Sequence, residues 1–216
     1  MDKSVELTIG EDRFIFDCRR ALYWPRRKVL LTADLHWGKT QYLRSHGVAI
    51  SDRVFEADLR RLSQVMDDYE TDSLLVLGDL IHHEKSLSKG VIEKVAHFRE
   101  KNPCELVLIK GNHDRYTKFP EAWGIVEESE FTLDEFYFTH EHDSKKKRAF
   151  QFSGHLHPML RLRAGFDELR LPAFILGDGF CYLPAFSHLT GGQDIRLAKN
   201  QKAVVLTEEG LEVFEK

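Results

Sequence analysis

The sequence predicts an α/β fold, a four-layer α/β/β/α sandwich in which two mixed sheets are flanked by helices. In the first part of the chain, short apolar runs typical of strands alternate with segments whose apolar residues recur every three or four positions, as on one face of a helix. From residue 131 onward the pattern changes to shorter β segments. No Pro/Gly-rich linker or internal repeat divides the chain, so we expect a single domain over residues 1–216.

The individual elements follow from apolar periodicity and from the turn residues between them. Two helices are expected: one carries apolar residues at 55, 59, 62, 66 and 69, and one runs from about Ser88 to Lys101. The expected strands are 5–9, 14–17, 28–33, 73–77, 105–110, 136–139, 149–153, 160–163 and 173–176, followed by a hairpin around Gly210.

The composition argues against several classes of protein. With 42% apolar residues the chain is not mostly disordered, and its net charge of -4 does not suit a protein that binds nucleic acid by bulk positive charge. Its three cysteines form no C-x-x-C pair, which argues against a thiolate zinc site or a disulfide framework. The start of the chain lacks the pattern of a signal peptide, and no apolar run approaches the ~20 residues that cross a bilayer. We therefore expect a cytoplasmic location.

Five of the predicted strands end in polar residues of the kind that bind metals. They run into Asp34-Leu35-His36, Gly78-Asp79, Gly111-Asn112-His113-Asp114, His140 and Gly154-His155-Leu156-His157. Because the carboxyl ends of strands gather along one edge of an open α/β sheet, we expect these side chains to meet there. Three of the five segments place a glycine directly before the polar residues, where the missing Cβ allows a close backbone approach.

The candidate ligands are of the types that suit divalent cations of intermediate hardness. Imidazole, carboxylate and amide groups without a thiolate favour Mn, Fe or Zn. Seven ligands exceed what one tetrahedral zinc uses, and they fit a pair of metals that share one carboxylate. The seven are Asp34, His36, Asp79, Asn112, His140, His155 and His157.

The order of these motifs, D-x-H, G-D, G-N-H-D, H and G-H-x-H, resembles that of the calcineurin-like metallophosphoesterase family. The stretch Gly78-Asp79-Leu80-Ile81-His82-His83 and the tail from Leu183 to Gly192 are similar to one bacterial branch, the DNA-ligase-associated metallophosphoesterases. The resemblance implies a metallophosphoesterase sandwich and a hydrolase that uses two divalent cations, with Mn²⁺ expected first and Fe or Zn as alternatives. It also implies a nuclease or phosphodiesterase linked to DNA repair, with DNA as substrate and a DNA ligase, helicase or exonuclease as repair partners.

The resemblance also implies roles for the individual residues. One metal would be held by Asp34, His36 and His157, and the second by Asn112, His140 and His155, with Asp79 bridging. His140 is the expected ligand of the fourth motif because it directly follows a strand; His142 is the alternative. A hydroxide that bridges the metals would attack phosphorus, and His113 would protonate the departing oxygen as general acid. Asp114 is expected to orient the His113 imidazole.

Several questions stay open at the level of sequence. The motifs act on the phosphate, so a small nucleotide or another phosphoester is an alternative substrate. A non-catalytic metal-binding interaction module on the same fold is a further alternative. His82 and His83 either touch substrate or support Asp79, or they belong to a polar loop without a role in the site. The basic run Lys145–Arg148 either steers a nucleic-acid backbone or forms a solvated loop tip.

Overall fold

The computed structural model describes residues 3–146, 149–164 and 167–216. In these ranges the α-helices are α1 Lys39–Ser45, α2 Arg53–Asp68 and α3 Lys89–Lys101. Short 3-10 helices lie at Pro25–Arg27, Glu84–Ser86 and Glu121–Trp123. The strands are β1 Ser4–Ile9, β2 Asp12–Asp17, β3 Ala21–Trp24, β4 Val29–Thr32, β5 Ser73–Leu77, β6 Glu105–Ile109, β7 Ile125–Glu128, β8 Phe131–Leu133, β9 Phe136–Thr139, β10 Phe150–Ser153, β11 Met159–Ala164, β12 Asp167–Gly177, β13 Phe180–Tyr182, β14 Asp194–Ile195, β15 Lys202–Leu206 and β16 Leu211–Glu215.

The strands form two mixed sheets. The first sheet has the order β1-β2-β3-β4-β5-β6-β7, with an antiparallel meander from β1 to β4 and parallel pairing from β4 to β7. The second sheet has the order β14-β11-β12-β13-β10-β9-β8, and β15 and β16 extend it beside β12. In its centre β9, β10 and β13 are parallel. Each sheet therefore has parallel strands whose carboxyl ends lie at one edge, as the sequence predicts.

Aromatic side chains fill the core between the two sheets. Phe14 of the first sheet packs on Phe136 and Phe152 of the second, with ring centroids 5.2 and 5.0 Å apart, and Phe16 packs on Phe174 at 5.0 Å. All five rings are fully buried. The alternation of apolar residues along β2 and β12 places these rings on the inner faces, so the two sheets are joined by a dry apolar layer.

The helices cover the outer face of the first sheet. The spaced residues of α2 predicted from the sequence, from Phe55 to Met66, pack there together with Val91, Val95 and Phe98 of α3. Ser88 caps α3, since its side chain accepts a hydrogen bond from the Val91 amide.

The two-sheet α/β sandwich is confirmed, but its helices are distributed unevenly. All three α-helices of the described ranges lie before residue 102, on the side of the first sheet. The outer face of the second sheet instead carries an apolar cluster around Leu160, Ile175 and Val205. The physical reason is visible in the sequence, because helical spacing of apolar residues ends with α3 and only β patterns follow.

The structure describes only part of the basic run Lys145–Arg148. Lys147 and Arg148 lie outside the described residues. Lys146 pairs with Glu130 and lies over the ring of Tyr137, 4.1 Å from its centroid.

Among the described helices, none is long and apolar enough to cross a membrane.

Candidate metal centre

The polar segments that follow the parallel strands of both sheets meet at one edge of the sandwich. Asp34 and Asp79 follow β4 and β5 of the first sheet, while His140 and His155 follow β9 and β10 of the second. Backbone contacts tie these turns together, because the Asp34 amide donates to the carbonyl oxygen of Gly78 and the Gly154 amide donates to that of His140. The centre thus lies at the seam between the two sheets.

Five of the seven candidate ligands adopt a left-handed backbone conformation, with φ between 47° and 67°. Such a conformation costs roughly 1–3 kcal/mol for a residue other than glycine, and it persists only where the surrounding structure enforces it. Here it turns the chain sharply at the end of each apolar strand and directs the side chain back over the sheet edge. The five residues are Asp34, His36, Asp79, His155 and His157.

Three glycines in these turns leave room that a side chain would fill. A Cβ at Gly78 would lie 2.0 Å from Nδ1 of His140, and one at Gly111 would lie 2.2 Å from Oδ1 of Asp79. A Cβ at Gly154 would lie 2.7 Å from Oδ2 of Asp34. The glycines that precede the motifs in the sequence are therefore required by the close packing of backbone against the buried side chains.

The first group of ligand atoms belongs to Asp34, His36 and His157, and all three lie within 4.8 Å of one another. Nδ1 of His157 donates to the carbonyl oxygen of Gly191 at 3.0 Å, which turns Nε2 toward Oδ1 of Asp34 at 3.1 Å. Burial lowers the pKa of His157, but the contact with Asp34 outweighs it and raises that pKa overall. Burial and the nearby Lys39 ammonium lower the pKa of His36 to about 2, so its imidazole is neutral, the form that binds a metal.

The second group surrounds His140. Nδ1 of His140 donates to the carbonyl oxygen of Leu77 at 2.9 Å, so the neutral ring has a lone pair at Nε2. That nitrogen lies 3.0 Å from Oδ1 of Asn112, 3.5 Å from Oδ1 of Asp79 and 3.2 Å from Nδ1 of His155. Atoms with lone pairs that converge in this way repel one another unless a cation or a proton lies between them. The donor set therefore fits a divalent metal ion.

Asp79 connects the two groups. Its carboxylate forms a group with the Asp34 carboxylate and the His140 imidazole in which the ligand atoms lie within 4.8 Å of one another, and Asp34 also belongs to the first group. The two carboxylates are 0% and 2% exposed. Two acids buried this close together need positive charge between them, which a divalent cation would supply.

His113 lies at the more open side of the centre, with 34% of its side chain exposed. Its Nδ1 donates to the backbone carbonyl of His82, and the rings of His113 and His82 stack with centroids 5.3 Å apart. Nε2 is thereby left facing the centre, 3.9 Å from Oδ2 of Asp79.

Asp114 has a different set of partners from the one predicted. Its buried carboxylate accepts hydrogen bonds from the backbone amides of Leu80, Ile81 and Gly111. The prediction that Asp114 orients the His113 imidazole is therefore wrong, because the carbonyl of His82 occupies that position. Burial raises the pKa of Asp114 to about 6 despite these hydrogen bonds. Its side chain joins the turn after β5 to the turn after β6.

The structure brings His140 to the centre and places His142 elsewhere. The His142 ring packs against Phe180 and Tyr182, each at 5.6 Å between centroids, on the outer face of the second sheet. Of His82 and His83, left open by the sequence, His82 lies beside the centre, while His83 packs on Tyr42. His82 packs on His36 at 5.4 Å, and burial lowers the pKa of His82 to about 4.

A buried charged cluster that supports Asp34 is not among the features predicted from the sequence. Asp58 and Arg61 of α2 hold the segment 185–188, since Arg61 donates to the carbonyl of Phe186 and Asp58 accepts from the amide of His188. The amide of Ser187 in turn donates to the Asp34 carbonyl. Asp58 lies on the apolar face of α2, one turn from Leu62. An acidic residue in such a position is the sequence feature that indicates a buried ion pair.

Comparison with known proteins agrees with this geometry. The sequence matches the family model of calcineurin-like phosphoesterases over residues 27–208. Among solved structures, the chain is similar to the Pseudomonas putida nuclease MPE, with 31% identity, a TM-score of 0.80, and coverage of 94% of this chain and 96% of that one. It also matches the phosphoesterase YfcE from E. coli, with 15% identity, a TM-score of 0.41, and coverage of 87% and 92%. The search of curated proteins gives no match.

The family match includes strands of both sheets and every candidate ligand. It begins just before β4, which leads to Asp34, and ends after β15, beyond the G-H-x-H motif. The donor set fits divalent metals, as this family of phosphoester hydrolases requires. The chain belongs to the calcineurin-like phosphoesterase family.

Proposed function

We propose that the protein is a phosphodiesterase that cleaves nucleic acid with two divalent metal ions, Mn²⁺ in the first place. The observation that carries the proposal is the convergence of lone pairs around Nε2 of His140, beside the two buried carboxylates. One metal would be held by Asp34, His36 and His157, and the other by Asn112, His140 and His155, with Asp79 between them. The domain that carries this site would span residues 1–216.

The bound metals would supply a nucleophilic hydroxide at neutral pH and withdraw charge from the phosphoryl oxygens. The chain's own residues do the rest. Asp34 and Asp79 set the negative charge that retains the cations, and the carbonyls of Leu77 and Gly191 orient His140 and His157.

His113 is the group that would handle the proton of the leaving oxygen. Its Nδ1–H is held by the His82 carbonyl, so Nε2 is the nitrogen that points to the substrate. A protonated Nε2 can donate to the phosphate and then to the departing oxygen, which typically contributes a factor of about 10²–10⁴ to the rate. In this role His113 acts as general acid; Asp114 contributes by fixing the two turns between which His113 and Asp79 lie.

Nucleic acid is favoured as substrate by the similarity to a nuclease over 94% of the chain. A link to DNA repair, with a DNA ligase, helicase or exonuclease as partner, extends the same proposal. A small nucleotide or another phosphoester is the alternative substrate, because the ligand set contacts only the phosphate. A non-catalytic interaction module would tolerate loss of ligands, whereas all seven ligand positions and His113 are occupied by suitable side chains.

The decisive experiment measures metal content and cleavage together. We expect the wild-type protein to bind two divalent ions per chain and to cleave DNA. The variant His113→Ala should keep both ions and lose turnover by about 10²–10⁴-fold. Turnover of His113→Ala at the wild-type rate would contradict the acid role. Fewer than two ions, with no cleavage of DNA, a cyclic nucleotide or a chromogenic diester, would favour the interaction module.

A further inference from the structure

Three aromatic side chains form a stack beside the metal centre. The ring of Tyr42 packs on those of His46 and His83, with centroids 4.3 and 5.4 Å apart and interplanar angles of 36° and 30°. We call these three residues the ring stack. None of the three is a candidate metal ligand, and none has a part in the proposed mechanism.

The ring stack is joined to the centre through His82. The Tyr42 ring meets the His82 ring edge-on at 4.9 Å. His82 in turn packs on His36, a candidate ligand, at 5.4 Å and on His113 at 5.3 Å. A molecule bound to the ring stack would therefore lie next to the phosphate that the metals hold.

The fold holds the ring stack in place and leaves part of it open to solvent. Tyr42 lies on α1 and His46 is the residue that ends this helix, and Nδ1 of His46 contacts the carbonyl oxygen of Tyr42 at 2.8 Å. Nδ1 of His83 accepts from the Lys85 amide, which fixes the other end. His46 is exposed and the other two rings are half-buried. The outer face of this stack is a flat aromatic surface with little conformational freedom left to lose on binding.

A cation lies one helical turn closer to the centre. Lys39 precedes Tyr42 by three residues, so the two side chains share one side of α1. Lys39 is half-buried, and its backbone amide donates to the carbonyl oxygen of His36, a candidate ligand. A partly desolvated cation beside imidazoles and a dinuclear metal centre is electrostatically unfavourable unless an anion binds there.

We propose that the ring stack binds a nucleobase that flanks the scissile phosphate, while Lys39 binds the phosphate of that nucleotide. This inference rests on the proposed function, since it deepens the recognition of nucleic acid at the same centre. Aromatic stacking accepts any base, because every base has a π-face. The surface would therefore distinguish a nucleotide chain from phosphodiesters without bases, and it would not read sequence.

The test compares two single-stranded oligomers with identical phosphates. One is oligothymidylate and the other is a base-free deoxyribose phosphate chain of the same length; both are given to the Mn²⁺-loaded protein. We expect the wild type to cleave oligothymidylate with a kcat/KM about tenfold higher. Tyr42→Ala should lower kcat/KM for oligothymidylate by a larger factor than kcat/KM for the base-free oligomer, so that the preference for the oligomer with bases is lost. Tyr42→Phe, which retains the ring, should behave as the wild type does.

Two further variants separate binding from folding. His46→Ala removes an exposed ring that the fold does not need, and it should give a smaller loss in the same direction. His97→Ala removes a similarly exposed histidine on α3, far from the ring stack in sequence, and should change nothing. Metal content and melting temperature are measured for every variant, so that a general loss of structure is recognised.

The outcomes distinguish this inference from the proposed function. Equal cleavage of both oligomers by the wild type would overturn the stacking role and leave the phosphodiesterase intact. The same holds if Tyr42→Ala and His46→Ala lower both oligomers equally, because the rings would then only support the fold. Absence of cleavage of any phosphodiester by the metal-loaded wild type would overturn both.

Discussion

The two sheets make unequal contributions to the metal centre. The first sheet supplies both carboxylates, Asp34 and Asp79, which are 0% and 2% exposed. The second sheet supplies only imidazoles, from His140, His155 and His157. One half of the centre therefore carries its carboxylate charge, and the other half carries imidazole nitrogen atoms whose direction is set by backbone carbonyls such as those of Leu77 and Gly191. We therefore expect that the retention of bound cations would depend mainly on the first sheet, and that the second sheet would adjust their position.

The largest expected effect comes from removal of a first-sheet charge. Asp79→Asn should weaken metal binding by more than about 100-fold, since loss of even an outer hydrogen-bond partner of a ligand costs roughly 10–100-fold. The metal-free variant should melt at a higher temperature than the metal-free wild type, because the repulsion between two buried carboxylates is gone. Calorimetric titration with Mn²⁺ and thermal unfolding in chelator measure the two effects.

The matched variant from the second sheet is His155→Gln, which removes one neutral ligand. It should weaken the affinity for one ion only, and it should leave the stability of the metal-free protein close to that of the wild type. An equal loss of affinity in Asp79→Asn and His155→Gln would contradict the division of roles between the sheets.

An intermediate effect is expected at the seam, where Gly154 of the second sheet touches the first. A Cβ at this position would lie 2.7 Å from Cβ of Ala33 and 2.8 Å from the carbonyl oxygen of Leu77. Gly154→Ala should therefore push the sheets apart and cost about 1–3 kcal/mol of unfolding free energy, with a loss of metal affinity. The control is Gly90→Ala in α3, where a Cβ meets nothing within 4 Å and should add up to about 1 kcal/mol of stability. Urea unfolding measures the free energy of unfolding of both variants.

The smallest effect concerns the segment that carries Ser187 to the Asp34 carbonyl. Burial, together with Arg61 and Arg20, lowers the pKa of His188 to about 4. The folded state thus favours the neutral ring. Its contribution is complete above the ordinary pKa of ~6.5 and is lost as the pH falls from there toward 4.

Because part of the His188 side chain also contacts solvent, which screens the interaction, the loss between pH 7 and pH 4 should be about 1 kcal/mol. Urea unfolding at several pH values measures it. His188→Gln should flatten this part of the pH dependence, whereas His97→Gln should not. If His188→Gln did not change the slope of unfolding free energy against pH, protonation of this ring would not be the cause of the pH dependence.

Much of the centre could be predicted because its determinants are local. A glycine or a metal-binding side chain directly after an apolar strand is visible in the sequence, and the parallel topology brings such strand ends together. This pattern predicts that Asp34, Asp79 and His140 lie at one site, and in the structure their ligand atoms lie within 4.8 Å of one another.

The rest depends on contacts between distant segments. The four-residue strand β3 and the seven-residue helix α1 are too short to show periodicity, and their positions follow from pairing with other elements. The partners of Asp114 come from two turns, and one of these, with Leu80 and Ile81, lies more than 30 residues away in sequence. No local pattern could separate such a carboxylate from one that orients a catalytic imidazole.

The aromatic layer between the sheets has a consequence for the chemistry at their edge. Phe14, Phe136 and Phe152 lie far from any phosphate, yet the packing of these rings decides how far the carboxylate half of the centre stands from the imidazole half. In the proposed two-metal centre, the separation of the ions would then depend on the thickness of this hydrocarbon layer. A change in ring size there would act on catalysis as a spacer does, without contact with metal, water or substrate.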